Sequence, residues 1–592
     1  MPDDALLSAE SAEKTDDALL SAESAEKTDD ALLSAESTVD TGTPDAPATA
    51  IPRWRIIAGW VTTALAGALV LFALVAPNEF DRLTPLAFLR IPVEALVVVA
   101  LVVLLPDRAR RWVAIPVGLL LGILTILKVF DLGFFAVLDR PFDPFGDWSF
   151  LTAGTDYVAR SSGTLGAIGA VTAAGALAVG VLVGLTRSVL RLTRLVRPHR
   201  IVALRSVAAL GLVWAIAAVF GVQLVPGEPV AAGSAASLAY DKAVQVGTDI
   251  HDHRTFATDA IDDPFRYTPA ALLLPGLRGK DVLLVFVESY GRVALEDPQI
   301  APGVNAVLAT GTTQLRAAGF GMRSGFLSSS TYAGGSWLAH STLESGMWIN
   351  TQQRYTDLLA SDRLTLTGAF RRAGWRTIAA EPANFNDLPE AKEFDQVYDE
   401  RNLGYRGERF NFNSMPDQYT LGAIQRAELT PAHTRPVVAQ IALLSSHSPW
   451  APIPQLSDWN IGVGYGYTKA PAPDGEPSDL LLRSFDQVRQ DYGRSVQYSL
   501  RTLISYVQTY GNDNQVLVML GDHQPAATVT GDTDNRDVPI SIIAHDPAVL
   551  DQIDGWGWTD ALQPDPHAPV WRMDTFRDKF LTAFGSTPMP AH

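Results

Sequence analysis

Between Ile56 and Val225 the sequence passes through five apolar segments joined by short polar connectors, and this pattern puts the first part of the chain in a membrane. The segments fall at Ile56–Ala76, Ile91–Leu105, Val113–Val137, Leu165–Leu185 and Ile201–Val225. Each comes close to the roughly 20 apolar residues that a helix needs to cross a bilayer. Arginines mark alternate connectors. Arg53 and Arg55 precede the first segment, Arg108, Arg110 and Arg111 join the second to the third, and Arg187, Arg191, Arg194, Arg197 and Arg200 join the fourth to the fifth. The remaining connectors, Asn78–Arg82 and Asp139–Ser162, are acidic or mixed. The positive-inside rule then predicts a cytoplasmic N-terminus, with everything after Val225 outside. Glu94, Lys128 and Asp131 fall within or at the edge of these segments. Charge at membrane depth is costly, so they are expected either to serve a function or to pair, Lys128 with Asp131 on one helix face.

Four regions follow from the change in composition. Residues 1–50 are a tail in which residues 3–38 repeat the unit Asp3-Asp4-Ala5-Leu6-Leu7-Ser8-Ala9-Glu10-Ser11-Ala12-Glu13-Lys14-Thr15, complete again from Asp16 and truncated from Asp29. One Leu-Leu pair per copy buries little, and an acidic segment without aromatics is expected to be a disordered cytoplasmic tail. Residues 51–225 are the membrane domain. Residues 226–278 are a linker in which Ser237-Leu238-Ala239 weakly matches a signal-peptidase site. Residues 279–592 form an outer domain. The net charge is −18, and the first 49 residues hold 13 acids against two lysines. The remainder is still acidic, which argues against a nucleic-acid partner. There is no cysteine, so disulfides, thiolate metal sites and cysteine nucleophiles are excluded.

In the outer domain the chemistry collects at the ends of apolar runs. Asp281–Val287 reads as a buried strand that ends in Glu288-Ser289, and Gln515–Leu520 reads as another that ends in Gly521-Asp522-His523. Further strands are predicted at Arg376–Ala380, Val437–Leu444 and Val538–Ile543, and helices at Val304–Ala318 and Leu364–Ala373. This alternation implies a mainly parallel sheet covered by helices on both faces, with ligands gathering past the carboxyl ends of the strands. Glu288, Asp522 and His523 then offer oxygens and an imidazole to a divalent metal. Gly334-Gly335-Ser336 permits a tight turn with Ser336 at a helix start, where positive potential suits an alkoxide and a phosphate. Thr331 and Ser341 are rival nucleophiles. His447, in Ser446-His447-Ser448-Pro449, follows the Val437–Leu444 strand and is placed to bind phosphate or protonate a leaving group. His340 is expected to be structural.

Taken together, five membrane spans, strand-Glu-Ser, Gly-Gly-Ser at a helix start, Ser-His-x-Pro and Gly-Asp-His resemble the lipoteichoic acid synthase type of the alkaline phosphatase/sulfatase superfamily. Further likeness lies at Asn413-Ser414-Met415-Pro416-Asp417, at Tyr492–Tyr510 and at Asp537-Val538-Pro539-Ile540. The resemblance implies an α/β fold, with a five-helix transmembrane bundle ahead of an extracytoplasmic sulfatase-like catalytic domain.

It further implies that Glu288, Ser336, Asp522 and His523 hold one metal ion, Mn²⁺ by resemblance, with Mg²⁺ or Zn²⁺ equally suited to the donors. The implied activity is a phosphotransferase that moves a head group from an outer-leaflet lipid, through Ser336, to a cell-envelope polymer or glycolipid. Water as acceptor would make it a hydrolase, and an inactive envelope-assembly protein is the alternative from another class. In those synthases the nucleophile is threonine, where this chain has serine. They also carry a Trp-x-Arg element that holds glycerol phosphate, whereas the corresponding stretch Glu381–Asp387 has neither residue. Phosphatidylglycerol leads as donor by resemblance, and the missing Trp-x-Arg element keeps phosphatidylethanolamine and a glycolipid phosphate as alternatives. A formylglycine sulfatase is excluded because no Cys/Ser-x-Pro-x-Arg motif is present.

Overall fold

The computed structural model describes residues 53–589 apart from 81, 139, 145, 226–227, 385–386, 411–414, 461, 471–482 and 532. The acidic repeat tail and the Asn413-Ser414 pair lie outside the described residues. The membrane region comprises helices α1 (Arg53–Val75), α2 (Val93–Leu104), α3 (Asp107–Leu138), α4 (Trp148–Val196) and α5 (Arg200–Phe220). Among the described residues, α1, α3, α5 and the Ser162–Val196 part of α4 are long and apolar enough to cross a bilayer. The expected count of five spanning helices is therefore corrected to four. The second segment fails because Pro92 and Pro106 bracket it. Its 12 helical residues rise about 18 Å, well short of a hydrocarbon core of about 30 Å.

The chain nevertheless reverses between α1 and α3. Lys128 Nζ donates to the carbonyls of Ala73 and Ala76 at 3.0 and 2.8 Å, while Arg191 Nε meets Thr63 Oγ1 at 3.0 Å. Gly118 packs on Thr186 and Gly122 on Leu182, where an added Cβ would lie 2.6 and 2.8 Å from the neighbouring helix. Small residues of this kind let α3 and α4 approach closely, as is common between membrane helices. These contacts make α4 antiparallel to α3 and α1 parallel to it, so residues 76–107 return the chain with α2 as part of the path. At the end of α5, Trp214 Nε1 donates to Ala232 O at 3.2 Å, next to a short bridge pairing Ile91–Pro92 with Ala231–Ala232. The C-terminal ends of α1, α3 and α5 thus lie together.

Lys128 and Asp131 do not pair with each other. Asp131 is fully buried and accepts from Lys242 Nζ, Asn78 Nδ2 and the Phe142 amide at 2.9, 3.0 and 2.9 Å. Lys242 belongs to helix α6 (Ser234–Asp259), which also contains Ser237-Leu238-Ala239 and lies within the stretch read as a linker. Farther along α6, Asp252 takes a bidentate bond from Arg354 at 2.7 and 2.6 Å, and Phe256 is buried among Leu338, Ile349 and Tyr355. One helix therefore ties the bundle to the α/β domain.

That domain runs β1 (Asp281–Val287), α7 (Ala301–Ala317), β2 (Gly321–Ser328), α8 (Ser336–Ser345), α9 (Gln352–Ala360), α10 (Leu366–Ala373), β3 (Arg376–Glu381) and β4 (Gln396–Asp399). It continues through α11 (Asp417–Ile424), β5 (Val437–Leu443), α12 (Phe485–Tyr510), β6 (Gln515–Gly521), β7 (Asp537–Ala544), β8 (Val570–Arg572) and α13 (Phe576–Ala583). The strands form one sheet in the order β8-β2-β7-β6-β1-β5-β3-β4, in which β7 alone runs against the rest. The sheet is mainly parallel, as expected. The two-residue period of a strand divides its side chains between two cores. Leu283, Val285 and Val287 pack on the α7, α11 and α12 side, while Val282, Leu284 and Phe286 pack under α8, α10 and α13. Each such side chain fully buried contributes about 1.5–3 kcal/mol.

Candidate active site

The register of the three central strands sets the site. Val287 of β1 lies opposite both Gly521 of β6 and Leu443 of β5. The next residues of β1 and β6, Glu288 and Asp522, therefore leave the sheet side by side, with the Ser445–His447 turn beyond. Glu288, Asp522 and His523 are 4%, 1% and 1% exposed, and one ligand atom from each lies within 4.8 Å of the others.

Ser336 arrives from a different direction. Gly335 takes the left-handed conformation (φ 77°, ψ 36°) that a side chain resists, and makes Ser336 the first residue of α8. Ser336 is thus not an N-cap, and its hydroxyl is free of the helix. It donates to Glu288 Oε2 at 3.0 Å and lies 3.2 Å from His523 Nε2. The rivals do neither. Thr331 Oγ1 is buried without a hydrogen-bond partner, and Ser341 lies farther along α8.

The orientation of each donor is set from behind. Nδ1 of His523 lies 2.8 Å from Gln524 O, which fixes that nitrogen as the donor and leaves Nε2 facing Glu288 Oε1 at 3.3 Å. Asp522 Oδ1 accepts from the amides of Ser289 and His523, both at 2.8 Å. Ser289 reaches this position with φ 55°, and its hydroxyl donates to Glu288 Oε1 at 2.9 Å. Asp522 Oδ2 is buried and has no hydrogen-bond partner. Such a buried carboxylate oxygen requires a proton or a cation.

The electrostatics agree. Burial and then repulsion from Glu288 push Asp522 up to about 7. Burial opposes a charge on His523, but Asp522 and Glu288 outweigh it and push it up to about 9. Burial also works against Glu288, yet His523 beside it holds that carboxyl well below the usual carboxylate range. Two carboxylate oxygens, an imidazole nitrogen and a hydroxyl oxygen on one point fit a divalent cation.

A cavity of about 540 Å³ opens from this point, and His447, Trp337 and Phe150 are among its lining residues. His447 follows β5 as expected, close enough to act electrostatically on Glu288. His340, one turn after Ser336 on α8, stacks on Phe286 with ring centroids 3.8 Å apart. Its Nε2 has no hydrogen-bond partner and lies 4.0 Å from Asp522 Oδ2, so it faces the site as well as the core. The i, i+4 spacing from Ser336 was the signal for this placement. The cavity also has an acidic wall formed by Glu381, Glu390 and Glu393, which no motif in the sequence marks. Burial and then repulsion from Glu390 push Glu381 up to about 8.

The sulfatase family model matches residues 281–540, a stretch that runs from β1 into β7 of the α/β domain and includes Glu288, Ser336, Asp522 and His523. No curated protein matches the sequence. Among solved structures, the chain is similar to the lipoteichoic acid synthase LtaP from Listeria monocytogenes at 16% identity, over 45% of this chain and 66% of that one, with a TM-score of 0.31. It is also similar to the phosphoglycerol transferase GacH from Streptococcus pyogenes (12% identity, 58% of this chain, 92% of that one, TM-score 0.33). A third is the C-terminal periplasmic domain of EptC from Escherichia coli (14% identity, 52% of this chain, 83% of that one, TM-score 0.34). The chain spans just under two thirds of the Listeria protein.

Proposed function

We propose that this protein is a membrane-anchored, metal-dependent phosphotransferase acting on a lipid phosphodiester, with Ser336 as nucleophile. The observation that carries this reading is the convergence of Ser336 Oγ, Glu288 and His523 beside an Asp522 oxygen that has no hydrogen-bond partner. Glu288, Ser336, Asp522 and His523 would hold one divalent ion, Mn²⁺ or its near equivalents. Such an ion lowers the pKa of the serine hydroxyl and neutralises charge on phosphoryl oxygens.

Ser336 Oγ attacks phosphorus, and its proton passes to water in the open cavity. The bond from phosphorus to the lipid alcohol breaks in line, and His447 protonates the departing oxygen. A second alcohol, or water, then takes the phosphoryl group from Ser336.

The donor follows from the cavity wall. Glu381, Glu390 and Glu393 line it, while its Arg363 and Lys392 are committed to the backbone carbonyls of Ser345 and Leu359. Among the described lining residues these three carboxyl groups outnumber the two cations, and a cationic head group would stabilise their ionised forms, which supports phosphatidylethanolamine over phosphatidylglycerol as donor. The arginine-rich ends of α3 and α4 lie opposite the helix ends that carry the α/β domain. By the positive-inside rule this supports a cytoplasmic N-terminus and an external catalytic domain, despite the short α2.

Release of diacylglycerol from mixed phosphatidylethanolamine–phosphatidylglycerol vesicles by the Mn²⁺-loaded full chain tests the reading. The expected result is release that prefers phosphatidylethanolamine and is lost in Ser336→Ala. Equal release by Ser336→Ala would contradict it.

A further inference from the structure

The catalytic cavity is not built by the α/β domain alone. Phe150, near the start of α4 and ahead of its break at Gly163, is one of the lining residues. Its ring packs against Trp337, the residue next to Ser336, with centroids 5.4 Å apart and planes at 46°. Behind Phe150 the aromatic contacts continue toward the bundle. Phe134, at the end of the α3 span, meets Phe150 edge-on at 5.5 Å and Phe142 at 5.0 Å, and Phe142 meets the exposed Trp148 at 5.8 Å. Arg140 lies over both Phe134 and Phe150 at 5.5 and 5.7 Å, and is held there by a bidentate bond to Asp147 with both contacts at 2.7 Å.

Aromatic side chains at the end of membrane spans sit at the level of the lipid head groups. Here they form a continuous track from that level to the nucleophile. Phe150 is only half-buried, and it presents its ring to the cavity from the segment that leads, through the break at Gly163, into the Ser162–Val196 span. Trp337 is oriented by a bond from its Nε1 to Gln352 Oε1 at 3.1 Å, which leaves its faces for packing.

We infer that Phe150 and Trp337 form the subsite for the apolar, glycerol-ester side of a lipid phosphodiester, so that the membrane bundle supplies part of the donor site. This rests on the lipid phosphotransferase reading above and adds what selects a lipid over any other diester. The acidic wall would take the head group on one side of the phosphorus, and the aromatic pair would take the diacylglycerol on the other. A head group reaching the site without its lipid would leave the aromatic pair uncovered.

The test compares two substrates with the Mn²⁺-loaded full chain: phosphatidylethanolamine–phosphatidylglycerol vesicles and the water-soluble diester bis(p-nitrophenyl) phosphate. In Phe150→Ala the ratio of kcat/KM for lipid to kcat/KM for the soluble diester should fall about tenfold, chiefly through the KM for lipid, as expected for losing one aromatic contact. Phe150→Leu, which keeps apolar volume in the same place, should lose less and guards against a folding defect. An unchanged ratio in both variants, or an equal fall on both substrates, would overturn the inference. So would a wild type that cleaves the soluble diester but no lipid, and that result leaves phosphoryl transfer intact. Inactivity of the wild type on both substrates would instead remove the underlying reading, and the inference with it.

Discussion

Nε2 of His523 lies 3.2 Å from Oγ of Ser336, although 187 residues separate them in the chain. The contact exists because β6 delivers the histidine to the same sheet edge over which α8 begins. Both atoms also face the Glu288 carboxylate, and Nε2 of His523 lies 3.6 Å from Asp522 Oδ2 as well.

The first consequence concerns the metal. Asp522→Asn and Glu288→Gln each remove one anionic donor while keeping side-chain volume and the hydrogen bonds behind it. Affinity for Mn²⁺, measured by titration calorimetry on the full chain, should fall by at least about a hundredfold, since even outer-shell changes cost 10–100-fold. The thermal transition of the apo protein should be unchanged or raised, because a buried charge is lost. Unaltered Mn²⁺ affinity in both variants would contradict the ligand assignment.

A second consequence is a pH-dependent stability. Glu344 on α8 is 7% exposed and accepts from the amide and hydroxyl of Thr367 at 2.7 and 3.0 Å. Burial, with added repulsion from Glu393, pushes its carboxyl up to about 7. The unfolded chain ionises Glu344 near pH 4.3, so the folded state binds the extra proton and loses stability as pH rises from there to 7. Below pH 4 both states are protonated and nothing is lost. Glu344→Gln keeps one oxygen to accept from the Thr367 amide, turns its NH2 to donate to the Thr367 hydroxyl, and should raise stability by up to about 3 kcal/mol above pH 7, with no gain below pH 4. Equal melting temperatures of the two proteins at pH 8 would contradict this.

The third consequence is topological. An alkaline phosphatase reporter placed after Arg194, in the last turn of α4, should be inactive, and one fused at the C-terminus should be active. The reverse pattern would put the catalytic cavity in the cytoplasm and remove outer-leaflet lipid as donor.

Much of this was legible in the residues, and the exceptions have physical causes. Glu288 and Asp522-His523 could be placed because buried parallel strands read as apolar runs, and ligands collect where such runs end. The direction of β7 could not be read, since Val538–Ile543 is equally apolar either way round. Strand β2, Gly321-Met322-Arg323-Ser324-Gly325-Phe326-Leu327-Ser328, passed unnoticed because two glycines and an arginine interrupt the apolar pattern. Ile91–Leu105 has the apolar length of a span, but the prolines at 92 and 106 cut its helix to 12 residues. The pairing of Asp131 with Lys242 and the contact of Phe150 with Trp337 were beyond reach for another reason. Both depend on where the long helices α4 and α6 lead, which only tertiary packing decides.

The most direct test of the central claim is the mass of the peptide that contains Ser336, taken from Mn²⁺-loaded protein quenched soon after mixing with bacterial lipids. The expected result is an added phosphoethanolamine group on Ser336, absent from Asp522→Asn. Phosphoglycerol on Ser336 would keep the transferase and correct the donor. A modified Thr331 or Ser341 beside an unmodified Ser336, or no adduct on any of them in protein releasing diacylglycerol, would contradict the account.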